Sequence, residues 1–128
     1  MNTPPNPNPA RRFAILEHSW NGVHWDFLLE TEPDRPLKTW AIDAPISFDV
    51  DLPARSLPDH RPLYLEYEGP ISHDRGSVRR LDRGEYEWIS WTEDRVEVRI
   101  KGTQLEGLIV LRRIRGSSSW LFRLGKFD

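Results

Sequence analysis

His18, His24 and Asp26 fall within nine positions of one another, and they are the residue types that hold a divalent cation: neutral imidazole nitrogen and ionised carboxylate oxygen. Alternate residues of a β-strand share a face, so a strand over 24–30 turns His24 and Asp26 one way and Trp25, Phe27 and Leu29 into a core. Two positions along a strand span about 7 Å at the backbone, near enough for both side chains to converge on one ion. Whether His18 joins them depends on register. Asn21-Gly22 is a turn signal. A two-residue loop there pairs Trp20 with Val23 and sets His18 opposite Trp25, on the core face. A three-residue loop, Trp20-Asn21-Gly22 with Gly22 left-handed, pairs His18 with His24 on one face. Metal binding requires the odd-length loop. The competing reading is a solvated strand face that carries these three residues by chance.

Asp59-His60-Arg61-Pro62-Leu63-Tyr64 is a second polar constellation. A histidine outside a metal's own ligands can give a proton to a leaving oxygen or bind an anion. Asp59 could orient His60 or cap a turn. Of the 18 basic residues all but Lys38, Lys101 and Lys126 are arginine, and Arg75, Arg79, Arg80 and Arg83 cluster beside a glycine-containing loop. Guanidinium offers phosphate a planar fork of donors that an ammonium lacks. Ion pairs from this cluster to Asp82, Glu85 and Glu87 are the equally weighted alternative.

These residues need strands to position them, and the chain reads as a succession of short ones. Residues 12–17, 24–30 and 37–42 come first, the last with Trp40 as a core anchor. Residues 43–59 hold three prolines and no period, which predicts a long loop with one helical turn near Ala54. From Gly76 the pattern is meandering β over 77–81, 85–91, 95–100, 108–114 and 120–124, with Asp82-Arg83-Gly84 among the turns. Val96, Val98 and Ile100 alternate against Glu97 and Arg99, a strand with one wet face. No stretch keeps a helical period for three turns. The expected class is mostly β, a small antiparallel barrel with long loops and little helix.

With 128 residues, 38% of them hydrophobic, the chain has one core's worth of material, expected over 12–128 behind a disordered Pro/Asn-rich tail over 1–11. No cysteine is present, which excludes disulfides, thiolate metal sites and cysteine nucleophiles and fits a cytoplasmic location. No run has the length of a membrane span, and the net charge of −2 argues against a strongly basic nucleic-acid coat.

Glu17-His18, His24-Trp25-Asp26-Phe27, Leu29-Glu30 and Leu37-Lys38-Thr39-Trp40-Ala41 together resemble the 3′-phosphoesterase module of bacterial DNA ligase D. Asp59-His60, Tyr64, Tyr67-Glu68-Gly69, Gly76-Ser77-Val78 and Asp82-Arg83-Gly84 with Tyr86-Glu87 continue the likeness, which spans about Phe13 to Leu124 in the family's order. The resemblance implies a small β-barrel with a groove for a primer end, and a divalent metal held by His18, His24 and Asp26. Manganese is the usual ion, with zinc or cobalt as alternatives. His60 and Tyr64 would stand beside the scissile phosphate, and Thr39 takes a place usually held by serine in substrate binding. The implied activity is repair of DNA 3′ ends: a terminal ribonucleoside is removed, then the remaining 3′-phosphate, leaving a 3′-hydroxyl. Its partners would be a DNA or RNA-tipped primer 3′ end and separate ligase, polymerase or end-binding proteins.

Three departures qualify the likeness. Leu28 replaces an arginine that clamps phosphate, Ala44 falls where the family has lysine, and 72–76 replaces a familiar loop. Arg61 or Arg75 would then supply the substitute guanidinium. Two other readings remain: a module that docks DNA ends or a ligase without cleaving, and a non-haem iron oxygenase triad of His24, Asp26 and His60.

Overall fold

The computed structural model describes residues 11–126. Nine strands follow one another: β1 (Arg11–Ser19), β2 (Val23–Leu29), β3 (Leu37–Ile42), β4 (Leu52–His60), β5 (Gly69–Pro70), β6 (Ser77–Trp91), β7 (Arg95–Gly102), β8 (Glu106–Arg113) and β9 (Ser119–Gly125). Hydrogen bonding runs β1-β2-β3-β4-β9-β8-β7-β6 and returns to β1 through β6, which closes an 8-stranded antiparallel barrel. Closure satisfies the backbone donors and acceptors that an open sheet leaves at its edges. The short β5 lies beside the start of β6. One 3-10 turn, Pro62–Leu65, is the only helical element among the described residues. None of their helices is long and apolar enough to cross a membrane. The expected mostly-β barrel is what forms. The tail expected over 1–11 lies outside the described residues, except that Arg11 opens β1.

Period-two alternation fills the interior. Phe13, Ile15, Phe27, Leu29, Trp40, Ile42, Val96, Val98, Ile100, Trp120 and Phe122 point into one core. Rings meet edge to face, with Phe27–Phe122 centroids 5.8 Å apart and Trp40–Trp120 5.7 Å apart, a geometry that adds to the burial energy. Tyr86 is buried and donates its hydroxyl to the Glu30 carbonyl at 2.6 Å; burial pushes its phenol above the ordinary range.

Two sequence expectations are corrected. Residues 43–59 are not one long loop, since Leu52–His60 is a strand paired with both β3 and β9, and Ala54 lies in that strand with no helical turn. Leu52 and Ala54 turn inward while Pro53 and Arg55 turn outward. Ready-made partners on both sides override the poor local propensity. Asp82-Arg83-Gly84 is likewise no turn: β6 runs unbroken for 15 residues, with its register shifting against β1 between Ile15 and Leu16. Buried Asp82 instead accepts the backbone N–H groups of Thr103 (2.9 Å), Gln104 (3.2 Å) and Leu105 (2.8 Å), fixing the β7–β8 turn. A Cβ at Gly102 would stand 2.1 Å from the Asp82 carboxylate, so only glycine fits there.

A second apolar cluster lies on the outside of the barrel. Ala14 and Leu16 of β1, Leu28 of β2, Leu37 of β3 and Val78 of β6 are covered by Leu65, with Tyr64, Tyr67 and Ile71 packed around it. The segment after β4 therefore folds back over the outer face of β1–β3.

Candidate metal centre

The β1–β2 register is Ser19↔Val23, His18↔His24 and Leu16↔Asp26. The loop therefore has the odd length that metal binding requires, Trp20-Asn21-Gly22, with Asn21 as well as Gly22 left-handed (φ 52° and 114°). His18, His24 and Asp26 consequently share the outer face, at the end of the covered apolar cluster. Their ligand atoms all lie within 4.8 Å of one another.

Hydrogen bonding fixes which nitrogens are free. Nε2 of His18 is 2.9 Å from the Arg75 carbonyl. A carbonyl only accepts, so Nε2 carries the proton and Nδ1, 3.6 Å from Asp26 Oδ2, keeps its lone pair. A metal-binding histidine is commonly oriented by a hydrogen bond of this kind through its other nitrogen. Nδ1 of His24 stands 2.8 Å from Asp26 Oδ1, yet both atoms are buried without a hydrogen-bond partner. Two unsatisfied polar atoms this close, in side chains 17% (His24) and 2% (Asp26) exposed, are costly to leave unmatched, and a cation bound by both would satisfy them. The donor set fits a divalent metal, and this group could hold one.

Gly76 makes the Arg75 contact available. Its φ is +78°, and a Cβ there would meet the Ser19 carbonyl at 1.8 Å. Any other residue would push the Arg75 carbonyl and its loop away from His18.

His60 arrives by a bulge. Thr39 pairs with Leu57 but Leu37 pairs with His60, and the one-residue slip turns His60 onto the outer face. Its Nδ1 lies 3.0 Å from the Pro58 carbonyl, so Nδ1 holds the proton and Nε2 faces Asp26 Oδ2 at 3.9 Å. The Pro58 carbonyl, rather than Asp59, orients the ring; Asp59 meets Lys38 at 3.4 Å. The Tyr64 ring stands edge-on to His60 at 5.9 Å, braced by Tyr67 at 5.8 Å, whose hydroxyl donates to the Pro70 carbonyl. Three of the four histidines thus gather on Asp26, while His73 lies on an exposed loop.

A groove of about 460 Å³ opens over this group. Arg61, Tyr64 and Arg75 line it, and exposed Trp20 forms part of its rim. Thr39 does not: it is 2% exposed, and its hydroxyl donates to the Leu37 carbonyl at 3.0 Å. The arginine cluster disperses, with Arg79 on Glu17 (3.2 Å) and Arg80 on Glu68 (3.4 Å). Arg55 also lines the groove, and sequence reading passed over it because it lay in a segment read as loop. The signal that could have found it is the alternation Leu52/Pro53/Ala54/Arg55.

The fold and site define a small closed β-barrel carrying a His/His/Asp group in a groove edged by arginines. The family model described as the DNA Ligase D 3′-phosphoesterase domain matches residues 16–113, most of the chain. The protein belongs to that family, whose phosphoesterase chemistry serves DNA repair. No curated protein matches the chain.

Proposed function

We propose that this protein is a metal-dependent hydrolase of DNA 3′ ends, removing a terminal ribonucleoside and then the 3′-phosphate to leave a 3′-hydroxyl. The observation that carries the reading is the pair of buried polar atoms without hydrogen-bond partners, His24 Nδ1 and Asp26 Oδ1, completed by the free Nδ1 of His18. These three side chains would hold the ion, with manganese favoured over zinc or cobalt. When bound, such a metal polarises a phosphoryl oxygen and lowers the pKa of a water.

The chain's own residues do the rest. His60, oriented through Nδ1 by Pro58, presents Nε2 to the groove. Protonated there, it donates to the leaving oxygen as the P–O bond breaks, while water supplies the oxygen that replaces it at phosphorus. Tyr64 braces His60, and Arg61 and Arg75 edge the groove with positive charge. Separate ligases or polymerases would use the resulting 3′-hydroxyl.

The test is a set of 5′-labelled primer–templates ending in 3′-phosphate or a 3′ ribonucleotide, incubated with manganese. Wild type should shorten or dephosphorylate them, and His60→Ala should do so slower by about 10²-fold or more. Unchanged primers under manganese, zinc and cobalt would instead favour a module that docks ends without cleaving them.

A further inference from the structure

Asp26 pairs with Ala41, and Ala41 pairs with Arg55, so these three residues form one rank across β2, β3 and β4 on the outer face. Neighbouring strands are about 4.8 Å apart, which sets Arg55 about 10 Å from Asp26 at the backbone with only a methyl group between them. Such a span is bridged by two converging side chains and one phosphate-sized anion. Arg55 is also held in place. Asp43 takes its Nε at 2.9 Å and one Nη2 donor at 3.0 Å, a paired contact that fixes the plane of the guanidinium. The Nη1 edge is not used in that contact.

The other cations of the groove are less ordered for this task. Arg75 spends its Nε and Nη2 on Ser72, at 2.9 and 3.3 Å, as part of its own loop. Arg61 is exposed at the start of the 3-10 turn, with no side-chain partner to orient it among the described residues. A flexible arginine loses rotamer freedom when it binds, whereas one already held by a carboxylate does not. Asp43 and Arg55 are both partly exposed, so as a bare surface pair they would contribute little to stability.

We propose that Arg55, oriented by Asp43, binds the terminal phosphate in the groove, opposite the His18/His24/Asp26 group. This rests on the 3′-end reading above and names the residue that recognises the terminus. The guanidinium is a substrate-binding group, and Asp43 is a positioning residue that acts through it.

The experiment compares equilibrium binding of the full chain to a fluorescent primer–template ending in 3′-phosphate and to the same duplex ending in 3′-hydroxyl, with EDTA present to suppress turnover. Both duplexes carry internal phosphodiesters, so the ratio of affinities isolates the terminal group. Wild type should prefer the 3′-phosphate. Arg55→Gln should lower that preference about 10- to 100-fold with the hydroxyl-ended affinity little changed. Arg55→Lys should recover part of it, since it keeps charge without the fork. Asp43→Asn should give an intermediate loss, and melting temperature should stay near wild type in all three. An Arg55→Gln protein that keeps the wild-type preference, or loses both affinities equally, overturns the proposal while leaving the 3′-end reading intact. Wild type that neither distinguishes the two termini nor trims primers overturns both.

Discussion

At the residue scale the polar side chains depend on what accepts or donates behind them. The rings of His18 and His60 are both oriented by backbone carbonyls, of Arg75 and Pro58, from segments far from β2 in sequence. Spacing placed His24 and Asp26 on one face, because a strand's period of two is strict, but left His18 to the loop length, which is three residues and pairs it with His24. It could not identify the orienting carbonyls, since that of Arg75 reaches His18 across 57 residues and that of Pro58 depends on the local bend of β4. Leu28 illustrates the same limit. Its place on the metal-side face was legible, but its burial was not: it is 0% exposed, under Leu65 and beside Leu16 and Leu37. Leu28→Arg should therefore not restore a phosphate clamp. The charge would have to enter an apolar cluster, and we expect a loss of about 3 kcal/mol or more in urea unfolding, with no gain in primer trimming. A stable and more active Leu28→Arg protein would mean that the covering segment opens freely.

Elements that alternate cleanly were readable, and those that carry proline or a buried charge were not. β7, with Val96, Val98 and Ile100 inward, was plain from its sequence. β4 was hidden by Pro53 and Pro58, because its pairing comes from β3 and β9 rather than from its own propensity. Asp82-Arg83-Gly84 looked like a turn because aspartate and glycine usually mark one, whereas here Asp82 caps a turn made by other residues. Removing that carboxylate leaves the N–H groups of Gln104 and Leu105 without acceptors and that of Thr103 with the Arg83 carbonyl alone. Asp82→Ala should cost about 2–4 kcal/mol, read as a lower denaturation midpoint with an unchanged slope. Asp82→Asn should fall between, since its amide retains one acceptor oxygen. A neutral Asp82→Ala would show that water replaces the carboxylate without penalty.

For the whole molecule, barrel closure is what brings the site together. β6 reaches back to β1 and delivers the Arg75–Gly76 corner to His18, while the bulge between β3 and β4 delivers His60 to Asp26. Composition and strand spacing were enough for the class of fold, since many short strands in a cysteine-free chain of this length have few other ways to bury their apolar faces. The position of the covering segment over β1–β3 follows from long-range packing and had no local signal. Everything proposed about catalysis depends on one cation being held by His18, His24 and Asp26. Manganese binding followed by electron paramagnetic resonance tests this most directly, because free and protein-bound ion differ in signal without any need for turnover. Wild type should bind one ion, His18→Ala should lose at least about 10-fold in affinity, and His60→Ala should bind as wild type does. Loss of binding in His60→Ala with retention in His18→Ala would contradict the assignment and place the ion on a different set of side chains.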